Sequence, residues 1–86
     1  MTQLWPAGQA ITVAVDQRGE PTYFVWQEQR HSIRRIVQRW QVDAEWWRAE
    51  GRVWRDYVAL ITGDNLFCVI YYDRLCEEWR LARLYD

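Results

Sequence analysis

Lysine is absent from this chain of 86 residues, although eleven of its residues are basic. All eleven are arginine, whose planar guanidinium group forms bidentate contacts with carboxylates and phosphates and stacks on aromatic rings. The net charge of −1 excludes the strongly basic composition of proteins that coat nucleic acid without sequence preference. A binding role for the arginines therefore requires that they cluster on one part of the surface.

Long apolar runs are also absent, and no stretch approaches the length of about 20 apolar residues that a membrane-spanning helix needs. The first ten residues lack the basic and apolar regions of a secretion signal. We therefore expect a cytoplasmic protein with no membrane partner. In a reducing compartment Cys68 and Cys76, which have no CxxC spacing, are expected to be small apolar residues rather than a disulfide or a zinc pair.

Residues for catalysis are few. His31 is the only histidine, and no serine or cysteine near it has the pattern of a nucleophile. Asp56, Asp73 and Asp86 lack the spacing of a metal site, and the four glycines are too scattered for a phosphate-binding loop. We predict no enzyme, no metal and no cofactor; a small enzyme would require a polar pocket that the sequence cannot reveal.

Aromatic residues, in contrast, are abundant: the chain has seven tryptophans, five tyrosines and two phenylalanines. A domain of this size buries only about 60–65% of the surface of its unfolded chain, so its core has to be dense. Each aromatic side chain can bury about 150–250 Å². The sequence therefore predicts one domain over residues 1–86, with an aromatic core and an N-terminal arm at 1–9.

The sequence predicts about six short strands, one of which is the segment 31–40 discussed below. Apolar and polar residues alternate over 11–16, 53–62 and 78–85, residues that favour strands occupy 22–27, and 66–72 is apolar enough for a central strand. Turn residues occupy 17–21, 63–65 and 73–76. Short antiparallel strands joined by turns are typical of small meanders that curl on themselves. We therefore predict an all-β fold, a small antiparallel meander or barrel-like sheet.

The segment 31–40 has two interpretations. Ile33, Ile36, Val37 and Trp40 follow the spacing of an amphipathic helix, which predicts one short helix in 31–40. However, no capping residue begins it, and the polar break before it suits a β-hairpin. A β-bulge would shift the alternation by one residue and give the same spacing in a strand, which is the interpretation we favour.

Tryptophan and arginine are concentrated between Arg30 and Tyr57. The segment from Arg30 to Arg55 holds seven arginines against three acidic residues, whereas the rest of the chain is acidic. Tryptophan and arginine dominate interface hot spots, and they also stack on bases and pair with phosphates. The candidate residues for binding nucleic acid or a partner are Arg34, Arg35, Arg39, Trp46, Trp47, Arg48, Arg52 and Arg55.

Adjacent Trp46 and Trp47 cannot both face inward on a regular strand, because neighbouring side chains alternate between its faces. One of them is then an exposed anchor for a partner, unless a bulge or loop buries both. The same alternation predicts that Trp54 and Asp56 point away from the face that carries Arg55 and Tyr57.

The motifs FVWQEQRHSIRRIVQRW, EWW, RDYVALIT and YYDRLCEEWRLARLYD, in this order, resemble a small bacterial domain of unknown function. That family is similar to the C-terminal tail of inactive Y-family polymerase homologues, which are mutasome subunits in translesion synthesis. The resemblance implies a role in DNA damage tolerance, as an accessory module that contacts single-stranded DNA or a DNA-repair protein of the polymerase type. The alternative is a protein-interaction or homodimerisation domain that does not bind nucleic acid.

Overall fold

The computed structural model describes residues 2–44 and 51–85, and these residues form seven β-strands and no helix. The strands are β1 (Thr2–Ala10), β2 (Thr12–Val15), β3 (Pro21–Trp26), β4 (Gln29–Ala44), β5 (Val53–Thr62), β6 (Phe67–Asp73) and β7 (Glu78–Tyr85). They form one antiparallel sheet in the order β1-β7-β6-β5-β4-β3-β2. The predicted all-β meander is therefore confirmed. Within the described ranges, no helix is present that could cross a membrane.

The two edge strands of the sheet, β1 and β2, are consecutive in the chain and are separated only by Ile11. The Ile11 backbone N–H donates a hydrogen bond to the carbonyl of Trp79 in β7 (3.3 Å). One continuous segment thus runs from one edge of the sheet to the other, which requires the sheet to curl strongly. The sheet stays open, because no ladder pairs β1 with β2.

The concave side of this curl, called the inner face below, holds the hydrophobic core. Leu60, Ile70 and Leu81 come from three neighbouring strands and are fully buried there. Burying such a side chain stabilises the fold by about 1.5–3 kcal/mol. Three half-buried tryptophans, Trp5, Trp26 and Trp79, pack against the core. The predicted aromatic contribution to the core is therefore present.

Strand β4 shows why the segment 31–40 has the spacing of a helix. Its first residues pair with β3, and the rest pairs with β5 through two register shifts, between Ile33 and Arg35 and between Ile36 and Gln38. Ile33 and Ile36 both pack against the core, whereas Val37 is 45% exposed. Each bulge adds one residue and turns the next side chain to the other face. The prediction of a helix is wrong, and that of a bulged strand is confirmed.

The segment 1–9, predicted as an arm, forms most of strand β1 from Thr2 onwards, which pairs with β7. The pairing is interrupted between Leu4 and Gln9, where Gly8 has a positive φ of 75°. The irregular segment lies over Tyr71 of β6, whose hydroxyl donates a hydrogen bond to the Ala7 carbonyl (3.2 Å). Strand β1 thus covers part of the other side of the sheet, called the outer face below.

Candidate functional site

Three aromatic rings lie side by side across the outer face. Trp40 of β4 is paired with Tyr57 of β5, and Tyr57 is paired with Tyr71 of β6. The Trp40 and Tyr57 rings are parallel, with centroids 5.2 Å apart and planes inclined by only 2°. The centroids of Tyr57 and Tyr71 are 5.1 Å apart. The strand register therefore assembles a continuous row of rings from residues that are distant in sequence.

The exposure of these rings increases from β6 towards β4. Tyr71 is 1% exposed, Tyr57 is half-buried, and Trp40 is 38% exposed. Burial raises the pKa of the Tyr71 hydroxyl, although nearby Arg55 and Arg80 act in the opposite direction. Tyr71 is therefore a neutral, structural ring, and Trp40 is the ring that offers contact area to a ligand.

Arg55 contacts two of the three rings through its guanidinium group. Its guanidinium lies over the Tyr71 ring, 4.4 Å from the centroid, and Nη1 donates a hydrogen bond to the Tyr57 hydroxyl (3.1 Å). Burial acts to lower the pKa of Arg55, but the hydrogen bond to Tyr57 and the Coulomb interactions with neighbouring groups outweigh it and raise the pKa. Arg55 therefore carries a fixed positive charge beside Tyr57 and Tyr71.

Arg83 of β7 is the second arginine of this surface. It is exposed and lies between Leu4 of β1 and Val69 of β6, with which it is paired. Two clefts of about 240 Å³ each have Tyr57 and Arg83 in their linings; one includes Trp40 and the other includes Leu4. We call Trp40, Tyr57, Arg55 and Arg83 the outer platform. It combines an exposed ring with two guanidinium groups and recessed surface.

Of the eight predicted binding residues, the structure places only Arg55 in the outer platform. Arg39 lies on the inner face, opposite Val58, and forms an ion pair with Glu20. Arg52 donates to both carboxylate oxygens of Asp43 (3.2 and 3.3 Å). Each of these two arginines therefore forms an ion pair with an acidic neighbour.

Arg34 and Arg35 are exposed, but they lie near the first bulge of β4. Arg35 is seven residues before Val42, the partner of Arg55, which corresponds to about 20 Å along a strand. The arginines of the basic segment therefore do not form one surface. Trp46, Trp47 and Arg48 lie outside the described residues.

Arg83 is the functional candidate that sequence reasoning missed, and the reason is a bulge in β7. Regular alternation in β7 would put Arg83 on the same face as Trp79 and Leu81. However, Ile70 pairs with Leu81 and Val69 pairs with Arg83, so Ala82 is an extra residue that turns Arg83 outward. The predicted opposition of Asp56 and Tyr57, by contrast, is present: Asp56 bonds to Gln41 on the inner face.

His31 and the cysteines lie elsewhere. His31 is buried against Phe24, with ring centroids 5.1 Å apart, and its Nδ1 is 3.8 Å from an Asp64 carboxylate oxygen. Both cysteines are free; Cys68 is buried in the core and Cys76 is exposed. Among the described residues, no three histidine, cysteine or acidic side chains come together as a metal site would require.

Comparison with known proteins adds no assignment to this geometry. No family model matches the chain, and no curated protein sequence or solved structure is similar to it.

Proposed function

We propose that this protein is a non-enzymatic binding module that holds a single-stranded nucleic acid on the outer platform. The observation that carries the proposal is the parallel stack of Trp40 on Tyr57, in which the Trp40 ring stays exposed. Arg83 lines a cleft together with both rings, and Arg55 is hydrogen-bonded to Tyr57. An exposed ring flanked by guanidinium groups is the arrangement on which single-stranded nucleic acids stack their bases.

The free energies of base stacking and of phosphate contacts favour modest binding that is selective for single strands over duplexes. A base stacked on an aromatic side chain contributes about 1–3 kcal/mol, whereas the bases of a duplex are already stacked on each other. Arg55 and Arg83 supply two positive charges for phosphates, and the net charge of −1 supplies no long-range attraction. We therefore expect an affinity that depends more on stacking than on phosphate contacts.

The sequence resemblance to the tail of inactive Y-family polymerase homologues suggests where such binding would be used. In that context we propose an accessory of DNA repair or translesion synthesis in the bacterial cytoplasm. The module would contact single-stranded DNA, or a DNA-repair partner that is itself bound to it.

Fluorescence anisotropy with labelled oligothymidylate and a matched duplex, at 50 and 200 mM salt, tests the proposal. Each neutralised phosphate of a single strand contributes a slope of about −0.7 in the log–log salt dependence. Two contacts predict about a sevenfold loss of affinity over this fourfold change in salt. Equal affinity for both DNAs, or no binding at tens of micromolar protein, would contradict the proposal.

Two variants locate the site. Trp40→Ala removes the stacking ring and should weaken binding about 5- to 150-fold, the equivalent of 1–3 kcal/mol. Arg83→Gln should reduce the salt-dependent loss from about sevenfold to about 2.6-fold. Val37→Ala is the matched control, since it shortens another exposed apolar side chain of β4. A control variant that weakens binding as much as Trp40→Ala would refute the location.

A second candidate function is homodimerisation or protein binding through the same face. Leu4 is 60% exposed and lies beside Arg83 in the register of β1 and β7, so it extends the platform with an apolar side chain. Light scattering on the purified chain tests this candidate. A dimer that becomes a folded monomer in Leu4→Ser would support it, and a parent chain that is already monomeric would exclude the homodimer.

A further inference from the structure

A cavity of about 540 Å³ lies at one end of the inner face. The rings of Tyr72 and Trp79 belong to its lining, with centroids 5.2 Å apart, and buried Val58 contributes apolar surface. Trp40 and Tyr57 of the outer platform also belong to the lining, but neighbouring side chains on a strand alternate, so their rings lie on the opposite side of the sheet from Val58. The sheet therefore lies between the cavity and the rings of the outer platform, and the cavity has the volume of a small-molecule site.

Asp56 organises the polar part of the cavity. One of its carboxylate oxygens accepts a hydrogen bond from the Gln41 amide (2.8 Å), and the other accepts one from Arg74 Nε (2.6 Å). Both oxygens are engaged, so the carboxylate holds the two donors in place. Its charge is offset by the charge of Arg74.

Two guanidinium groups of the cavity keep donors for a ligand. Arg74 uses Nε for Asp56, and its two terminal nitrogens form no hydrogen bond with another described residue. Arg39 uses Nη2 for Glu20 at the edge of the cavity. Its remaining N–H groups have no hydrogen-bond partner within the described ranges.

We propose that this cavity binds a small molecule that carries a planar ring and an anionic group, either a phosphate or a carboxylate. The ring would pack against Tyr72 and Trp79, since aromatic rings favour stacked and edge-to-face contacts with each other. The anionic group would accept charge-assisted hydrogen bonds from Arg74 and Arg39, which are stronger than bonds between neutral groups. This site is independent of the proposed nucleic-acid function.

Nuclear magnetic resonance of the tryptophan indole N–H groups tests the proposal on the intact chain. Trp79→Phe and Trp40→Phe assign the signals of the cavity and of the outer platform. The probes are adenosine monophosphate, adenosine, which lacks the anion, and indole-3-acetate, which replaces phosphate by carboxylate. We expect adenosine monophosphate to shift the Trp79 signal at sub-millimolar concentration and adenosine to bind about tenfold more weakly.

Charge variants on the two faces provide matched controls. Arg74→Gln should weaken adenosine monophosphate about tenfold without changing the affinity for adenosine, because it removes a donor for the anion and leaves the Asp56 charge, which repels an anion, without its ion-pair partner. Arg74 is exposed, so the variant is expected to fold. Arg83→Gln removes the same charge from the outer face and should leave the titration of the Trp79 signal unchanged.

The outcomes separate the two sites. Binding of indole-3-acetate alone, of adenosine monophosphate alone or of both would support the site and identify the anion that it accepts. If no probe shifts the Trp79 signal at millimolar concentration, or if only the Trp40 signal moves, the cavity site is overturned. Equal affinity of parent and Arg74→Gln for every anionic probe would overturn it as well. None of these results depends on whether single-stranded DNA binds to the outer platform.

Discussion

Gly8 connects the conformation of β1 to the packing of the outer face, and its replacement by alanine should destabilise the fold strongly. Gly8 has a φ of 75°, in the left-handed region that costs other residues about 1–2 kcal/mol. A Cβ at this position would lie 2.5 Å from the Tyr71 hydroxyl oxygen and 2.8 Å from Arg80 Cβ. A Cβ atom does not approach other heavy atoms so closely, so neighbouring atoms must move.

The cost of that movement can be estimated from the contacts. Displacing Tyr71 breaks its hydrogen bond to the Ala7 carbonyl, which contributes about 0.5–1.5 kcal/mol, and overpacking costs typically about 1–3 kcal/mol. Together with the backbone strain, Gly8→Ala should lower the free energy of unfolding by about 2.5–6.5 kcal/mol. In a domain of this size each kcal/mol corresponds to about 4–8 °C in Tm.

Gly19→Ala is the matched control, because Gly19 has a φ of 81° but no atom within 4 Å of an added Cβ. It should cost only the backbone strain of about 1–2 kcal/mol. Urea denaturation of both variants, followed by tryptophan fluorescence, measures the difference. If Gly8→Ala is no more destabilising than Gly19→Ala, then β1 does not lie against Tyr71 as described.

The remaining predictions concern the buried thiol and the carboxylate near His31. Burial, with a smaller contribution from the charge of Asp64, raises the pKa of Cys68 to about 12, so a thiol reagent at pH 8 should modify only Cys76 rapidly in the native protein; rapid modification of both cysteines before denaturation would disprove this. The hydrogen bond from Thr62 lowers the pKa of Asp64, so its stabilising contribution is complete above the unfolded-state value of 3.8 and is lost as the pH falls through the lower folded-state pKa. Between pH 5 and pH 2 the urea midpoint should therefore fall more for the parent chain than for Asp64→Asn, and parallel curves would contradict the assignment.

The regular strands could be predicted from the sequence because their alternation is simple. The strand predicted at 53–62 is β5, and the Gly63-Asp64-Asn65 turn follows it as predicted. Both depend on local patterns, a period of two residues and a turn sequence, which the chain itself displays.

The features that the sequence did not predict depend on irregular strand pairing, which is visible only in the register between neighbouring strands. An extra residue, Ala82, places Arg83 on the outer face, and two bulges in β4 give it the apolar spacing of a helix. Strand β1 was missed because TQLWPAGQA has no alternation and contains a proline and a glycine. Its conformation is set by pairing with β7, at the other end of the sequence, which no local pattern encodes.

Only the residue types of the candidate site, tryptophan and arginine, could be predicted from the sequence. The enrichment of tryptophan and arginine draws attention to the region that contains Trp40, Arg55 and Tyr57. Composition does not tell which arginine meets a carboxylate, however, and Arg39 and Arg52 both do. Arg55 and Arg83 could be identified only from the structure, because the pairing of four strands brings them to the same surface.

The pairing of β1 with β7, in which Thr2 lies opposite Tyr85, also has a consequence for biosynthesis. Among the seven strands, the ribosome makes β1 before the others, but its partner strand β7 leaves the exit tunnel after the others. The hairpins from β2 to β7 can form one after another as the chain emerges. Strand β1 can pair only after β7 is available, and this pairing closes the longest loop of the fold. Pairing between strands that are distant in sequence is slow. During that interval the edge of β7 and the Tyr71 ring are uncovered. A nascent chain with an impaired β1 should therefore expose a strand edge that other chains can join, and aggregation during expression would be its first symptom.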